Sequence, residues 1–382
     1  MLRRLSLVLL CLLLCLPLAA RGEETLSLFA VNVRKADCLL LRSGEDVYMI
    51  DTGSAESWGQ VSAALHSLGI TRLKGVILTH TDDDHAGGLM ALASSSIVID
   101  GWYASAWYAD VKTSKHPMRL AAALRAEEVT WLRSGDELPL EGGSLTVLGP
   151  MRESETENCN SVVLLAKGGG GSILLTGDME FDEENDLLSA GLITPCTVLK
   201  VANHGESDAT SSALVQAAQP RIAVISTNSD DEKDTPATRV LKALKKVDAQ
   251  IAVTQNAQAG VLVELTGGAA SVQLSAWPQW PEKQTGVVVS GKSIPDQTVT
   301  VTNQGSAEAD LSGCFLYSER GGETFVFPDG TVLAAGQSLT VAAHGSTAAA
   351  DLTWGESKVW HKSKADAAVL YDAYGRELSR LD

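Results

Sequence analysis

The chain of 382 residues is too long for one typical domain, so the sequence predicts two. A hydrophobic content of 45% is ordinary for a globular protein that buries full cores. The formal net charge of −17 argues against a high-affinity nucleic-acid binder, because an acidic protein is repelled by long phosphate polymers unless metals or local patches compensate. An enzyme that meets a single phosphodiester through metals stays compatible with this charge.

Residues 1–22 have the composition of an export signal. Arg3 and Arg4 precede an apolar stretch over residues 5–20, and small residues follow at a position that predicts cleavage. An uncleaved membrane anchor is the alternative, although the apolar stretch is shorter than the roughly 18 residues that spanning requires. No other stretch of the sequence approaches that length. We therefore expect a secreted or extracytoplasmic protein with no transmembrane channel of its own.

Residues 24–275 are predicted to form a first domain in which short apolar strands alternate with helices. In chain order, strands are predicted at 26–33, 38–41, 47–50, 76–78, 144–148, 161–165, 172–175, 197–201, 222–226, 250–254 and 260–265, with helices at 60–68 and 238–246. Two strand-rich halves with interspersed helices predict stacked sheets covered by helices. A predicted helix at 118–127 either covers a site as a lid or lies on the surface.

Residues 276–286 are predicted to be a linker, because Pro278 and Pro281 interrupt the strand pattern. From 287 to 382 the chain consists of alternating strand-like segments separated by turn signals, such as those at 303–305 and 328–330. Short strands at regular spacing predict a β-sandwich for this second domain.

The stretch 80–85 carries the strongest chemical signal of the chain. It follows the apolar run 75–78 and concentrates imidazole and carboxylate groups in one turn, at His80, Asp82, Asp83, Asp84 and His85. Divalent metals bind imidazole nitrogen and carboxylate oxygen, and a turn at a strand end can aim several such groups at one point. An acidic loop alone is usually a solvated turn, but the two histidines and further ligand-type residues downstream favour a metal site.

Three other strand ends supply residues of the same types. Asp178 follows the apolar strand at 172–175, His204 follows the run 199–201, and Asp51 follows the strand at 47–50. Strand ends can meet at one rim of a sheet sandwich, so we expect these side chains to lie beside the 80–85 turn.

Taken together, the motifs over about residues 26–265 resemble the metallo-β-lactamase superfamily and, within it, the ComEC-type competence branch. The HxDxDH motif of that branch is matched at 80–85, its TGD strand end at 176–178, and its last histidine motif at 203–205. The resemblance implies an α/β fold, specifically an αββα sandwich, and two divalent metal ions. Zinc is the first choice of metal and manganese the alternative.

The resemblance also implies which residues bind these metals. One metal is assigned to His80, Asp82 and Asp178. The other is assigned to Asp84, His85, Asp178 and His204. Asp84 and His204 are the implied catalytic residues, and Asp84 is expected to orient the metal-bound hydroxide as well as to bind metal.

Asp51, Asn160 and Asn203 are assigned supporting roles. Asp51 is predicted to hydrogen-bond a ligand loop. Asn160 lies where many superfamily members have a histidine, and it either binds metal weakly or caps a strand; a supporting role is favoured. Asn203 replaces the first histidine of the HHG motif, which contacts the substrate phosphate in related esterases. The segments 34–37 and 234–236 also depart from the family, so we expect metal binding to survive and substrate choice or rate to change.

Residues 287–382 resemble the lamin-tail domain, an all-β, immunoglobulin-like sandwich often appended to secreted bacterial hydrolases. The segments that follow the family pattern in order include 303–305, 310–313, 325–331, 354–355 and 359–360. The resemblance implies that this domain contacts the cell envelope or another protein, with a purely structural cap as the alternative.

The combined resemblance predicts an exported hydrolase in which a metal-bound hydroxide attacks a phosphodiester, with DNA as the leading substrate. A cell-envelope phosphoesterase that acts on phosphorylcholine or teichoic-type groups is the first alternative, and the acidic charge favours it. A metal-binding but catalytically degenerate scaffold is the second, because Asn203 and the altered loops depart from the family. The intact set of ligand residues favours an enzyme.

Overall fold

The computed structural model describes residues 24–108 and 129–382. The predicted export signal at 1–22 and the predicted lid helix at 118–127 lie outside the described residues. Across the two described ranges, no helix is both long and apolar enough to cross a membrane.

The described residues form elements in the following order. The first part contains β1 (Thr25–Val31), β2 (Leu39–Ser43), β3 (Asp46–Ile50), α1 (Trp58–Ser67), β4 (Arg72–Leu73), β5 (Gly75–Leu78), α2 (Asp83–Ala86), α3 (Leu89–Ser94), β6 (Val98–Ile99), β7 (Trp102–Ser105) and β8 (Val129–Leu132). The second part contains β9 (Glu137–Leu140), β10 (Gly143–Gly149), β11 (Val163–Gly168), β12 (Gly171–Leu175), α4 (Phe181–Ser189), β13 (Val198–Lys200), α5 (Ser212–Ala218), β14 (Ile222–Ile225), α6 (Thr238–Lys246), β15 (Gln250–Val253), β16 (Gly260–Thr266) and β17 (Ala269–Ser275).

The C-terminal part contains β18 (Val287–Ser293), β19 (Thr298–Asn303), β20 (Ala309–Asp310), β21 (Phe315–Ser318), β22 (Thr324–Val326), β23 (Val332–Leu333), β24 (Ser338–Ala342), β25 (Leu352–Thr353), β26 (Ala368–Tyr371) and β27 (Glu377–Leu381). Short 3-10 helices lie at Ala55–Ser57, Ala106–Tyr108, Asn158–Asn160, Asn203–Gly205 and Thr254–Asn256.

Two large sheets form the N-terminal part of the molecule. One has the strand order β17-β16-β1-β2-β3-β5-β7-β8, and the other has the order β15-β14-β13-β12-β11-β10-β9. The strands β3, β5, β7 and β8 are parallel to one another, and so are β12, β13, β14 and β15. In sheets of this kind, ligands bind beyond the carboxyl ends of the parallel strands.

Apolar side chains hold four layers together. Leu28 and Ile77 of the first sheet share one buried cluster with Leu164 and Ile173 of the second sheet, so the two sheets pack face to face. The outer face of the first sheet is covered by α1 and α3, and that of the second by α4, α5 and α6. The predicted αββα sandwich is therefore confirmed.

The C-terminal part is all-β, as predicted. Two four-stranded sheets, β18-β19-β24-β25 and β22-β21-β26-β27, surround a buried cluster that includes Val301, Leu316, Trp354 and Leu370. Residues 276–286, which precede β18, contain neither helix nor strand.

Some elements were not predicted from the sequence. The helices α4 and α5 and the strand β17 had no recognised periodicity, although β17 pairs with β16 along its whole length. Short elements such as these are stabilised mainly by tertiary packing, so their local sequences carry only a weak signal. Local hydrogen bonds also contribute to the stability of α5. The side chain of Ser211 caps this helix by accepting hydrogen bonds from backbone N–H groups of its first turn.

Candidate metal centre

The predicted ligands follow strands of both sheets. The strand β5 leads into the turn that contains His80 and α2, β12 leads to Asp178, and β13 leads to the 3-10 turn that contains His204. His80, His85, Asp178 and His204 are buried, whereas Asp82 and Asp84 are partly exposed. The structure brings all of these side chains together at one rim of the sandwich.

Four side chains form the tighter half of the cluster. One ligand-type atom from each of Asp84, His85, Asp178 and His204 lies within 4.8 Å of the other three. Oδ2 of Asp178 is 3.2 Å from Nε2 of His85 and 3.3 Å from Nε2 of His204. Oδ2 of Asp84 lies 3.3 Å from the same His204 nitrogen. These are the residues assigned by resemblance to the second metal.

His80 and Asp82 form the other half. Nε2 of His80 is 3.7 Å from Oδ2 of Asp82 and 4.0 Å from Oδ2 of Asp178, so Asp178 faces both halves. Within residues 24–108 and 129–382, Nε2 of His80 and Oδ1 of Asp178 are buried without a hydrogen-bond partner. Unpaired buried polar atoms are rare in folded proteins, and a ligand is one explanation for them.

Asp51 supports the turn from behind. Its Oδ2 accepts hydrogen bonds of 2.7 Å from Nδ1 of His85 and 2.7 Å from Oγ1 of Thr79. Its Oδ1 accepts a further bond of 2.8 Å from the backbone N–H of Thr79. A carboxylate on Nδ1 fixes the orientation of an imidazole and leaves Nε2 available to a metal. Asp51 thus lies against the 80–85 turn and holds His85 and Thr79 in place.

The backbone orients His204. Its Nδ1 donates to the carbonyl oxygen of Ser226 at 2.9 Å, which leaves Nε2 facing the carboxylates. Asn203 and His204 are consecutive residues with left-handed backbone conformations, with φ of 45° and 51°. Asn and His tolerate this conformation better than most residues, so the sequence suits the tight turn that follows β13.

A buried ion pair lies beside His204. Nζ of Lys200 is 2.7 Å from Oδ2 of Asp37, and both side chains are almost completely inaccessible to solvent. Oδ1 of Asp37 is 4.0 Å from Nδ1 of His204, and the backbone N–H of Asp37 donates to the carbonyl of Asp84 at 3.1 Å. The pair therefore ties the segment before β2 to β13 next to two ligand residues.

Burial and neighbouring charges move the pKa values of two imidazoles in opposite directions. Burial disfavours protonation of His204, but the carboxylate of Asp178 outweighs it and raises the pKa of His204 to about 10. Burial, together with the charge of His85, lowers the pKa of His80 to about 3. Divergent pKa values among neighbouring buried groups are typical of functional sites.

Glu157 adds a carboxyl group beside Asp82 that was not singled out in the sequence. Oε2 of Glu157 accepts a hydrogen bond of 3.0 Å from Oγ1 of Thr81, and its carboxyl group lies in contact with that of Asp82. Burial and this contact raise the pKa of Asp82 to about 7. The first half of the cluster is therefore richer in carboxyl groups than the sequence motifs indicate.

Asn160 and Asn203 use their amides within their own loops. Oδ1 of Asn160 accepts from the backbone N–H of Ser154 at 2.8 Å, and its Nδ2 donates to the carbonyls of Ser154 and Thr156, each at 3.0 Å. Nδ2 of Asn203 donates to Oδ1 of Asp208 at 3.3 Å. Both side chains therefore stabilise the loops in which they lie.

Several supporting residues were not predicted from the sequence. The pairing of Asp37 with Lys200 had one available signal, because a lysine inside the apolar run 198–201 requires a buried partner. Thr79 and Glu157 had none, since a threonine at a strand end and a glutamate in an acidic loop are ordinary residues in those places.

The cluster fits divalent metal ions. Three imidazoles and three carboxylates are donors that zinc and manganese bind in proteins. The Nδ1 atoms of His85 and His204 are engaged by Asp51 and by a backbone carbonyl, so their Nε2 atoms point into the cluster. A bound metal ion would also give a partner to Nε2 of His80 and Oδ1 of Asp178, which are buried and unpaired. The site residues are therefore candidates for divalent metal binding.

The chain belongs to the metallo-beta-lactamase superfamily, whose family model matches residues 31–229. That span includes every predicted ligand of the two metals. Residues 266–382 match the model of the Lamin Tail Domain, and the match begins at the last residue of β16. Both family resemblances seen in the sequence are confirmed.

Curated relatives include competence proteins, as predicted. ComE operon protein 3 of Bacillus subtilis is 28% identical over 215 residues, which cover 52% of this chain and 27% of that protein. Recombination protein 2 of Haemophilus influenzae is 27% identical over 220 residues, which cover 56% of this chain and 25% of that protein. The chain thus spans about a quarter of the length of these relatives. The crystal structure of the metallo-beta-lactamase fold protein YhfI from Bacillus subtilis aligns with 13% identity and a TM-score of 0.44, covering 63% of this chain and 100% of that one.

The substitution Asp37→Asn is expected to destabilise the fold strongly. It leaves the ammonium group of Lys200 buried without its carboxylate, which typically costs about 3–5 kcal/mol. Chemical denaturation of the metal-free protein measures the loss. The control is Asp100→Asn, which breaks an exposed pair with Arg72 and should cost less than about 1 kcal/mol. Equal, small effects of both substitutions would contradict the assigned role of the buried pair.

The metal-free protein is expected to lose stability as the pH rises from about 6.5 to 10. The pKa of His204 is raised in the folded state, so its contribution is complete below its ordinary pKa and is lost as the pH approaches the folded-state value. Melting temperatures measured against pH in chelator should fall over this range for the native chain. The fall should be smaller in His204→Gln and unchanged in the control His344→Gln, which alters an exposed histidine. Saturating zinc should flatten the profile, because metal binding requires the neutral imidazole.

Proposed function

We propose that the chain is a divalent-metal-dependent phosphodiesterase that acts on nucleic acid. The observation that carries the proposal is the convergence of three imidazoles and three carboxylates at one rim of the sandwich. Two positions are supported, one by His80, Asp82 and Asp178, and the other by Asp84, His85, Asp178 and His204. Zinc is the favoured metal because of the imidazole donors, with manganese as the alternative.

The proposed chemistry divides between the metals and the protein. When bound, two divalent ions supply Lewis acidity, which polarises phosphoryl oxygens and makes water more acidic. Asp178 faces both halves of the cluster and holds their spacing. Asp84 contacts His204 and is also partly exposed, so its carboxylate can orient an attacking water from the solvent side. His85 and His204 are held rigid by the contacts on their Nδ1 atoms.

Nucleic acid is the proposed substrate because relatives of the chain include a competence protein and a recombination protein by name. A small cell-envelope phosphoester is the second candidate, and charge favours it. Arg34 and Lys35 lie in the loop before Asp37, but Arg34 pairs with Asp231, and Lys35 pairs with Glu206 and Glu232. Positive charge in this loop is therefore balanced, and a long polyanion gains little from it.

We also propose that the protein is exported and has two domains, divided by residues 276–286. The leader-like composition of residues 1–22 supports export. The absence of regular structure from 276–286, a fully described segment, supports the division. The proposed role of the lamin-tail domain at 287–382 is to contact the cell envelope or another protein.

The substitution Asp84→Asn is expected to lower kcat for bis-p-nitrophenyl phosphate by roughly 100-fold or more, because it removes a ligand charge and the group that orients water. Turnover is measured on the metal-loaded chain, and a chelator should abolish it. Asp83→Asn is the matched control, since Asp83 belongs to the same motif but is exposed and is not an assigned ligand.

The same preparation distinguishes the candidate substrates. Chelator-sensitive cleavage of single- or double-stranded DNA supports the nucleic-acid proposal. Turnover of the model diester and release of phosphate-linked groups from envelope material, without DNA cleavage, would replace it with the second candidate. Bound metal with no turnover of any of these substrates would point to a binding module instead of an enzyme.

A further inference from the structure

The first metal position has fewer protein ligands than the second. Three residues, His80, Asp82 and Asp178, are assigned to it, against four for the other. Nε2 of His80 is fully buried, lacks a hydrogen-bond partner within residues 24–108 and 129–382, and lies 3.7 Å from Asp82. This unpaired nitrogen marks the place where an ion would lie, independently of the acidic residues around it.

Glu157 lies beside two residues of the turn that contributes to this position. Its Oε2 accepts a hydrogen bond from Thr81, the residue between His80 and Asp82, and its carboxyl group contacts that of Asp82. Two carboxyl groups in contact repel each other when both are ionised, and a divalent cation between them removes that repulsion. Neighbouring carboxyl groups of this kind are therefore suited to share a divalent cation.

The loop that carries Glu157 is held firmly by other contacts. The amide of Asn160 bonds three backbone groups of its own loop, and the backbone N–H of Asn160 donates to the carbonyl of Glu157 at 2.9 Å. Nδ2 of Asn158 donates to Oε1 of Glu180 at 2.8 Å, and Sγ of Cys159 also faces Glu180. Of the side chains at 157–160, the carboxylate of Glu157 is thus the one directed at the 80–85 turn.

We propose that Glu157 is a further ligand of the first metal position, in the region where the sequence lacks the histidine of many superfamily members. The inference rests on the proposed metal centre and deepens it. With Glu157, the first position offers one imidazole and three carboxylates, whereas the second offers two of each. Because carboxylate oxygens suit harder ions, the first position is the more manganese-like of the two.

The test is a titration of the metal-free full chain with Mn²⁺, in which the free ion is counted by electron paramagnetic resonance. Two Mn²⁺ ions are expected per native chain. Glu157→Gln should weaken one of the two dissociation constants by about tenfold or more and leave the other unchanged. Glutamine can still accept from Thr81 and donate to Asp82, so a purely structural contact would survive this substitution. Glu155→Gln, an exposed residue of the same loop, is the matched control and should bind as the native chain does.

A double-mutant cycle with Asp82→Asn protects the test against a folding defect. If Glu157 and Asp82 bind the same ion, the effects of the two substitutions on the weakened Mn²⁺ dissociation constant are non-additive. The melting temperatures of the variants in chelator should stay close to that of the native chain. Native-like binding of two ions by Glu157→Gln would overturn the inference and leave the proposed function intact. A native chain that binds neither Mn²⁺ nor Zn²⁺ would overturn both.

Discussion

The carboxylate of Asp178 lies where three buried imidazoles meet, and the arrangement around it depends on how that charge is balanced. His85 and His204 approach its Oδ2 to 3.2 and 3.3 Å, and their charges hold the pKa of Asp178 well below its usual range despite burial. A buried charge is tolerated only with partners in good geometry. The two sheets must therefore deliver these groups from separate strands to within a few ångströms, and the supporting contacts of Asp51 and Ser226 are what fix them there.

The C-terminal unit packs on a helix close to this site. Oγ of Ser62, in α1, donates to the carbonyl of Ala373 at 2.7 Å, so the tail packs directly on that helix. The segment before α1 holds the ligand turn in place: the backbone N–H of Thr52 donates to the carbonyl of His85 at 2.7 Å, and that of Gly88 donates to Gly53 at 3.0 Å. The tail thus packs against the helix whose preceding loop positions His85. This gives the appended domain a structural connection to the site, whatever else it contacts.

The sandwich could be predicted from the sequence, and so could the proximity of His80, Asp178 and His204. Each of these three residues lies just after an apolar strand. The strand fixes the position of a residue at its end, so the local pattern of apolar residues is enough to predict where that residue lies. The pairing of Asp37 with Lys200 could not be predicted in this way, since it joins segments far apart in the chain. The orientation of Glu157 depends on hydrogen bonds within an irregular loop, which no periodicity describes.

The backbone conformation of the turn at 203–205 explains why asparagine can stand at position 203, where the family motif has histidine. Asn203 and His204 both adopt left-handed backbone conformations, and Gly205 follows with φ of 84°. The backbone N–H of Asn203 donates to the carbonyl of Gly177 at 3.1 Å, which fixes the turn beside Asp178 without using the side chain. Since asparagine and histidine both tolerate this conformation, the exchange at position 203 keeps the turn that aims His204. The side-chain amide of Asn203 donates instead to Oδ1 of Asp208 at 3.3 Å, so it is used within its own loop.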